Sequence, residues 1–275
     1  ARKADVVIFV GGLNKNENQD CEGADRRSLN LPYGQDGLIG ELARVNRNLV
    51  AVIISGNAVA MPWVNEVPAI VEAWYGGTEA GNAIASVLAG EVNPSGKLPF
   101  TFPVRLEDNP AIALDAYPGD GKQVEYKEGI FVGYRWNDRE RIKPLFCFGH
   151  GLSYTTFEYG KVTAEGRQMG PDGTITVSVP VKNTGSRAGA EIVQLYVSDL
   201  KSSLPRPVKE LKGFRKITLQ PGQEQTVSFT IDRKALSFYD DTKQDWVAEP
   251  GTFEALVGAS ACDIRGKAAF ELTAR

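Results

Sequence analysis

Three cysteines and a single histidine in 275 residues leave little material for thiol or metal chemistry. Cys21, Cys147 and Cys262 are far apart and odd in number, with neither a CxxC pair nor zinc-ligand spacing. A metal site and a disulfide scaffold are therefore both unsupported. The three read as ordinary thiols, with one pair free to bridge. An excess of positive charge is also missing. The formal net charge of −3 argues against nucleic acid or an anionic membrane surface, since both select basic faces. No apolar run approaches the ~20 residues that span a bilayer. Neither GxGxxG nor GxxxxGK[ST] is present, which removes the usual phosphate cradles. GxSxG is missing too, so Ser55 and the lone His150 do not make a serine hydrolase. No cofactor is expected. The opening ARKADVVIFV lacks the shape of a signal peptide and runs almost directly into a core strand, as though the chain began inside a larger fold.

What is there is a globular composition, 42% apolar and 24% charged, long enough for two cores. Residues 1–107 alternate apolar strands with helical stripes. DVVIFVGG (Asp5–Gly12) is a continuous apolar run, expected to be a strand buried on both faces. DGLIGELARVN (Asp36–Asn46) sets Leu38, Ile39, Leu42 and Val45 on one helical face. LVAVIISG and PAIVEAWY give two more strands. TEAGNAIASVLAG gives a second helix, expected to be capped by Thr78, closed by Gly90 and favoured by Glu79 in its first turn. Such alternation predicts a mostly parallel sheet flanked by helices, with ligands gathering outside the carboxyl ends of its strands.

Residues 108–159 are rich in Gly, Pro and aromatics without a sustained period, and read as an ordered connector pinned by Trp136, Phe146 and Tyr154. From residue 160 to 275 the period becomes two. TITVSVPVKNTG, AEIVQLYVSD, VKELKGFRKITLQPGQ, EQTVSFTIDR and GTFEALVGAS are short strands parted by turn signals, as in a β-sandwich of immunoglobulin or fibronectin type III kind. Lys209, Glu210 and Lys212 read as a solvated face, and Trp74, Trp136 and Trp246 as packing residues.

The densest chemistry lies in FVGGLNKNENQDCEGADRRSLNLP (Phe9–Pro32), where Glu17, Asp20, Glu22, Asp25, Arg26 and Arg27 follow the first strand. A solvated connection accounts for such a loop; so does a catalytic acid held over a substrate.

Five stretches then resemble glycoside hydrolase family 3, the β-glucosidase and β-xylosidase family. They are ADVVIFVGG…EGADR…LNLPYGQ, WYGGTEAGNAIASVLAGEVNPSGKLPFTFP, YKEGIFVGYRW, PLFCFGHGLSYTTF, and VKNTGSRAGAEIVQLYV with ELKGFRKITLQPGQ. They stand in the family's order and span nearly the whole chain. The resemblance implies an α/β sandwich domain followed by a fibronectin type III-like domain, both preceded in the family by a catalytic barrel that has no counterpart here. It implies retaining, exo-acting hydrolysis of β-linked glucosides or oligosaccharides, with an Asp nucleophile on that barrel and a Glu acid/base on a loop of the sandwich. That loop matches CEGADR, so the acid/base falls on Glu22, with Glu17 and Asp20 as alternatives in the same loop. Gly23 would let a sugar approach the backbone. Asp25 and Arg26 would orient the loop, and Trp63 would offer a sugar-facing ring unless it packs in the core. Expected partners are the substrate and the barrel portion of the same enzyme, on the same or a separate chain; a homo-oligomer is also allowed. The family's habit implies a periplasmic or extracellular home. A sugar-binding or scaffolding protein that kept the fold without the chemistry is the alternative, and a β-sandwich used only for protein interaction is a third.

Overall fold

In the computed structural model, residues 1–274 are described, and they form two compact units that interleave in the chain. The first comprises residues 1–92, 102–113 and 143–145; the second comprises 93–101, 114–142 and 146–275. The stretch expected to be a connector is thus shared between them.

The first unit is α/β. Strands β1 (Val7–Gly12), β2 (Leu49–Ile54) and β3 (Ala69–Glu72) form a parallel sheet in the order β1-β2-β3. Val7 pairs with Leu49 and Gly12 with Ile54, while Val50 pairs with Ala69 and Ile53 with Glu72. Helix α1 (Gln35–Val45) follows β1, α2 (Ala80–Leu88) follows β3, and a single turn α3 (Pro110–Ala113) ends the segment 102–113. Central β2 is the apolar heart of the sheet, with Leu49, Ala51, Val52 and Ile53 all inaccessible.

Three local expectations change here. β1 is not buried on both faces. Phe9 is covered, but Val6, Ile8 and Val10 are 54%, 51% and 55% exposed. Side chains alternate between the two faces of the strand, so Phe9 lies on its covered face and Ile8 and Val10 on its open one. The buried seam of α1 is Ile39 and Ala43, and Leu38 lies outside it, 51% exposed. Thr78 does not cap α2; it sits inside a 3₁₀ turn, Gly77–Glu79, that leads into the helix. Gly90, with φ of +74°, does close that helix.

The second unit is a fibronectin-type sandwich with an attached helix, α4 (Tyr134–Glu140). Its strands are β4 (Phe157–Tyr159), β5 (Thr163–Ala164), β6 (Gln168–Met169), β7 (Thr174–Asn183), β8 (Gly189–Asp199), β9 (Glu210–Leu219) and β10 (Glu224–Asp232). After one helical turn, α5 (Arg233–Leu236), come β11 (Phe238–Asp240), β12 (Asp245–Val247), β13 (Gly251–Ser260) and β14 (Asp263–Leu272). One sheet runs β10-β7-β4, with β5 also on β7; the other runs β6-β14-β13-β8-β9. β7 alternates as its sequence predicts: Ile175, Val177, Val179 and Val181 face the core and meet Val193, Leu195, Phe253 and Val257 from the facing sheet. Pro180 is tolerated in β7 because it falls between the pairings with β4 and β5, where Gly160 N–H donates to its carbonyl and no ladder donor is needed.

The charges of β9 are not a solvated face. Lys209 is buried and its Nζ meets Asp138 of α4 at 2.5 Å. Glu210 accepts from Arg206 at 2.7 Å, with Arg135 at 3.4 Å and Lys212 at 3.5 Å beside it. Leu211 N–H donates to the Tyr134 hydroxyl at 2.9 Å. These bonds hold α4 against the β8–β9 edge, so the charges serve docking. Cys147 and Cys262 form a disulfide across 115 residues of sequence, leaving Cys21 as the free thiol. Trp136 is buried under Arg139, whose guanidinium stacks 4.7 Å from it. Trp246 does not pack inside: it is 64% exposed on the β11–β12 hairpin, edge-on to Tyr239.

Candidate active site

The loop that leaves the carboxyl end of β1 spans residues 13–34. Its two ends are stapled by one side chain. Gln35 accepts from Gly12 N–H at 2.8 Å and donates to the carbonyls of Gly12 and Pro32 at 2.9 and 3.0 Å. Gly12 itself has no room for a side chain, because a Cβ there would lie 2.0 Å from the Ile54 carbonyl oxygen. Asp36, next along, accepts from Leu31 N–H at 3.0 Å and from the Trp63 indole at 2.9 Å.

Within the loop, Cys21 and Ala24 pair across a tight turn with Glu22 and Gly23 at its tip. Gly23 adopts φ of +82° with open space beside it, so the residue is required by the backbone conformation. Glu22 is exposed at the apex. The feet of the turn are bonded to the segment that follows β2. On one side, Asp20 Oδ2 accepts from Gly56 N–H at 2.6 Å and from the Tyr75 hydroxyl at 2.9 Å. On the other, Arg26 Nη2 donates to the Ala58 carbonyl.

Beneath these feet, at the end of β3, lies Glu72. Its Oε1 accepts from Ser55 Oγ at 3.2 Å and from Trp74 N–H at 3.3 Å, and its Oε2 is buried with no hydrogen-bond partner. Burial pushes its carboxyl up to about 7; the charge of Asp20 adds to the rise, and the two hydrogen bonds oppose it. The Tyr75 phenol is likewise raised, to about 12, first by burial and then by its bond to Asp20. The Arg26 guanidinium is lowered by burial, against the pull of Asp20.

Of the residues expected from the sequence, Glu22 and Glu17 are exposed in the loop, while Asp20 is half-buried and engaged in holding it. Asp25 is exposed, and Arg26 is half-buried with its reach to Ala58. Trp63 is 2% exposed, its ring enclosed and its nitrogen spent on Asp36. That covering removes the sugar-facing role and leaves the packing one. Glu72, Ser55 and Tyr75 were missed. The available signal was an ionisable residue closing the apolar run AIVE at a strand end. Among the described residues, no cluster of three His, Cys, Asp or Glu is placed to hold a metal ion, and no helix is long and apolar enough to cross a membrane.

Comparison with known proteins places this geometry. The model of the glycosyl hydrolase family 3 C-terminal domain matches residues 1–134, and that of the fibronectin type III-like domain matches 191–261. The chain belongs to glycosyl hydrolase family 3. Beta-glucosidase BoGH3A of Bacteroides ovatus is 59% identical over 273 residues, which are 98% of this chain and 36% of that protein. Thermostable beta-glucosidase B of Acetivibrio thermocellus is 49% identical over 264 residues, 96% of this chain and 34% of its own. Among solved structures, the beta-glucosidase of Kluyveromyces marxianus in complex with glucose superposes with a TM-score of 0.92 at 41% identity, covering 99% of this chain and 32% of that one. The family 3 chain described here thus spans about a third of the length of the relatives it matches.

Proposed function

We propose that this chain is the C-terminal part of a retaining, exo-acting β-glucosidase and supplies its general acid/base, Glu22. The observation that carries the reading is the Cys21–Ala24 turn, which presents the Glu22 carboxyl at an exposed apex while the feet on either side are bonded down. Of the two alternatives, Asp20 is engaged by Gly56 and Tyr75, which disfavours it as a proton donor. Retention requires a second carboxylate about 5–5.5 Å from the first. The nucleophilic Asp is assigned to the barrel portion of the family, outside this chain. Glu22 would protonate the glycosidic oxygen as the bond breaks and then take a proton from the water that releases the sugar. Asp25 and Arg26 would orient the turn, Arg26 through Ala58. The substrate class is a terminal, non-reducing β-D-glucoside or β-linked oligosaccharide; the relatives' names and the glucose complex support it.

The open face of β1, with Val6, Ile8 and Val10 exposed, supports a partner segment that covers it, and the barrel-bearing portion of the enzyme fills that role. The Cys147–Cys262 bridge supports an oxidising home, periplasmic or extracellular. Glu22→Gln in the complete enzyme tests the assignment. Turnover of a β-linked disaccharide should fall about 10²–10⁴-fold, the usual worth of a positioned proton donor, with much smaller losses on activated aryl glucosides. In Glu22→Ala, azide should restore turnover of the activated substrates. Undiminished disaccharide hydrolysis by Glu22→Gln would falsify the role.

A further inference from the structure

The turn bearing Glu22 is tethered at two points, Asp20 and Arg26, six residues apart in sequence, and the first is the more elaborate. The geometry points to Asp20, with Tyr75 as its partner, as the positioning residue that sets where the Glu22 carboxyl stands during proton transfer. This deepens the reading above and rests on it.

Asp20 lies two residues before Glu22, immediately ahead of the turn. A single oxygen of its carboxylate is gripped from two elements: Gly56 N–H comes from the end of β2, and the Tyr75 hydroxyl from the segment after β3. The loop stem is thereby referenced to two adjacent strands of the rigid sheet. One strand would leave it free to pivot. Gly56 makes this possible by having no side chain, since a Cβ there would stand 2.9 Å from the Tyr75 ring and 3.3 Å from Asp20 Oδ2. The Tyr75 phenol, raised to about 12, stays a hydrogen-bond donor throughout the range in which the enzyme would work. Arg26, on the far side of the turn, adds a second tether to Ala58, two residues beyond Gly56. Both tethers converge on the same short stretch after β2, so the turn rides on that stretch as one body.

A tether of this kind affects the step in which Glu22 must lie in line with the leaving oxygen. Misplacement by about 1 Å can cost on the order of 100-fold in such a step. The experiment uses the complete enzyme with Asp20→Asn, Tyr75→Phe and Gly56→Ala, each alone and combined with Glu22→Gln. In the Glu22 background, kcat for glucosides with poor leaving groups should fall about tenfold or more in each variant. For dinitrophenyl glucosides kcat/KM, which reports the bond-breaking step alone, should fall less than about threefold, because they leave with little protonic help. In the Glu22→Gln background the same substitutions should cost nothing further, as expected of residues that act through one group. Equal losses for good and poor leaving groups, or the same factor in both backgrounds, would overturn the proposal and make Asp20 a purely structural anchor. Tyr75→Phe removes one hydroxyl and keeps the ring, so it carries the test even if Asp20→Asn does not fold. A Glu22→Gln enzyme without leaving-group discrimination would instead overturn the acid/base assignment itself.

Discussion

Glu72 offers a stability test that needs no substrate. Its carboxyl rises from 4.5 in the unfolded chain to about 7 in the native one, chiefly through burial. A raised native value means that the folded protein holds the proton more tightly, so this group favours folding least at high pH. Its contribution is benign below about 4.5, declines as pH rises through the interval, and is a full penalty above about 7. At about 1.4 kcal/mol per pH unit, the span from 4.5 to about 7 amounts to about 3 kcal/mol. Glu72→Gln keeps the Oε1 acceptor for Ser55 and Trp74 and removes the charge. Its amide nitrogen takes the place of the unpartnered Oε2, which costs about 1–3 kcal/mol at every pH. That constant offset cancels when two pH values are compared. Urea unfolding of wild type and variant at pH 4 and pH 8 should therefore show the variant gaining about 3 kcal/mol on the wild type between the two conditions. A difference that is the same at both pH values would mean that Glu72 titrates in the native protein as it does in the unfolded chain, and the account of its burial would be wrong.

Two further outcomes follow from the second unit. Reducing the Cys147–Cys262 bridge, or replacing both cysteines by Ala, should lower stability by about 2–5 kcal/mol, read as a fall in thermal midpoint on adding reductant that the double variant does not show. Lys209→Ala should cost about 3–5 kcal/mol, because it strands Asp138 beneath the β9 edge; calorimetry of the variant against Lys209→Ala/Asp138→Ala separates the stranded charge from the lost packing.

The parts of the fold that the sequence made legible are those where one periodicity meets one environment. β7 alternates apolar and polar residues and is buried in that alternation, and Gly90 ends α2 as its place in the pattern predicts. β1 misled for a physical reason: an apolar run states that a strand is to be covered, without stating whether these residues or others do the covering. Lys209 and Glu210 misled because Asp138 and Arg135, the α4 residues they meet, lie some seventy residues away in sequence, where no local pattern reports them. Trp63 and Trp246 are the same residue type, yet one is enclosed and the other lies open on a hairpin. In the candidate site, the loop that carries Glu22 was legible in CEGADR. Its support was not, because Asp20, Gly56 and Tyr75 are scattered over fifty-five residues and only folding unites them.

The bond between Cys147 and Cys262 closes a ring that encloses every strand from β4 to β13. A cleavage of the exposed chain around Leu200 and Lys201 would open that ring without parting it, since both new ends remain moored to the same loop. A single nick of this kind leaves the molecule one covalent piece, whereas a second cut within the same ring would free the segment between the two.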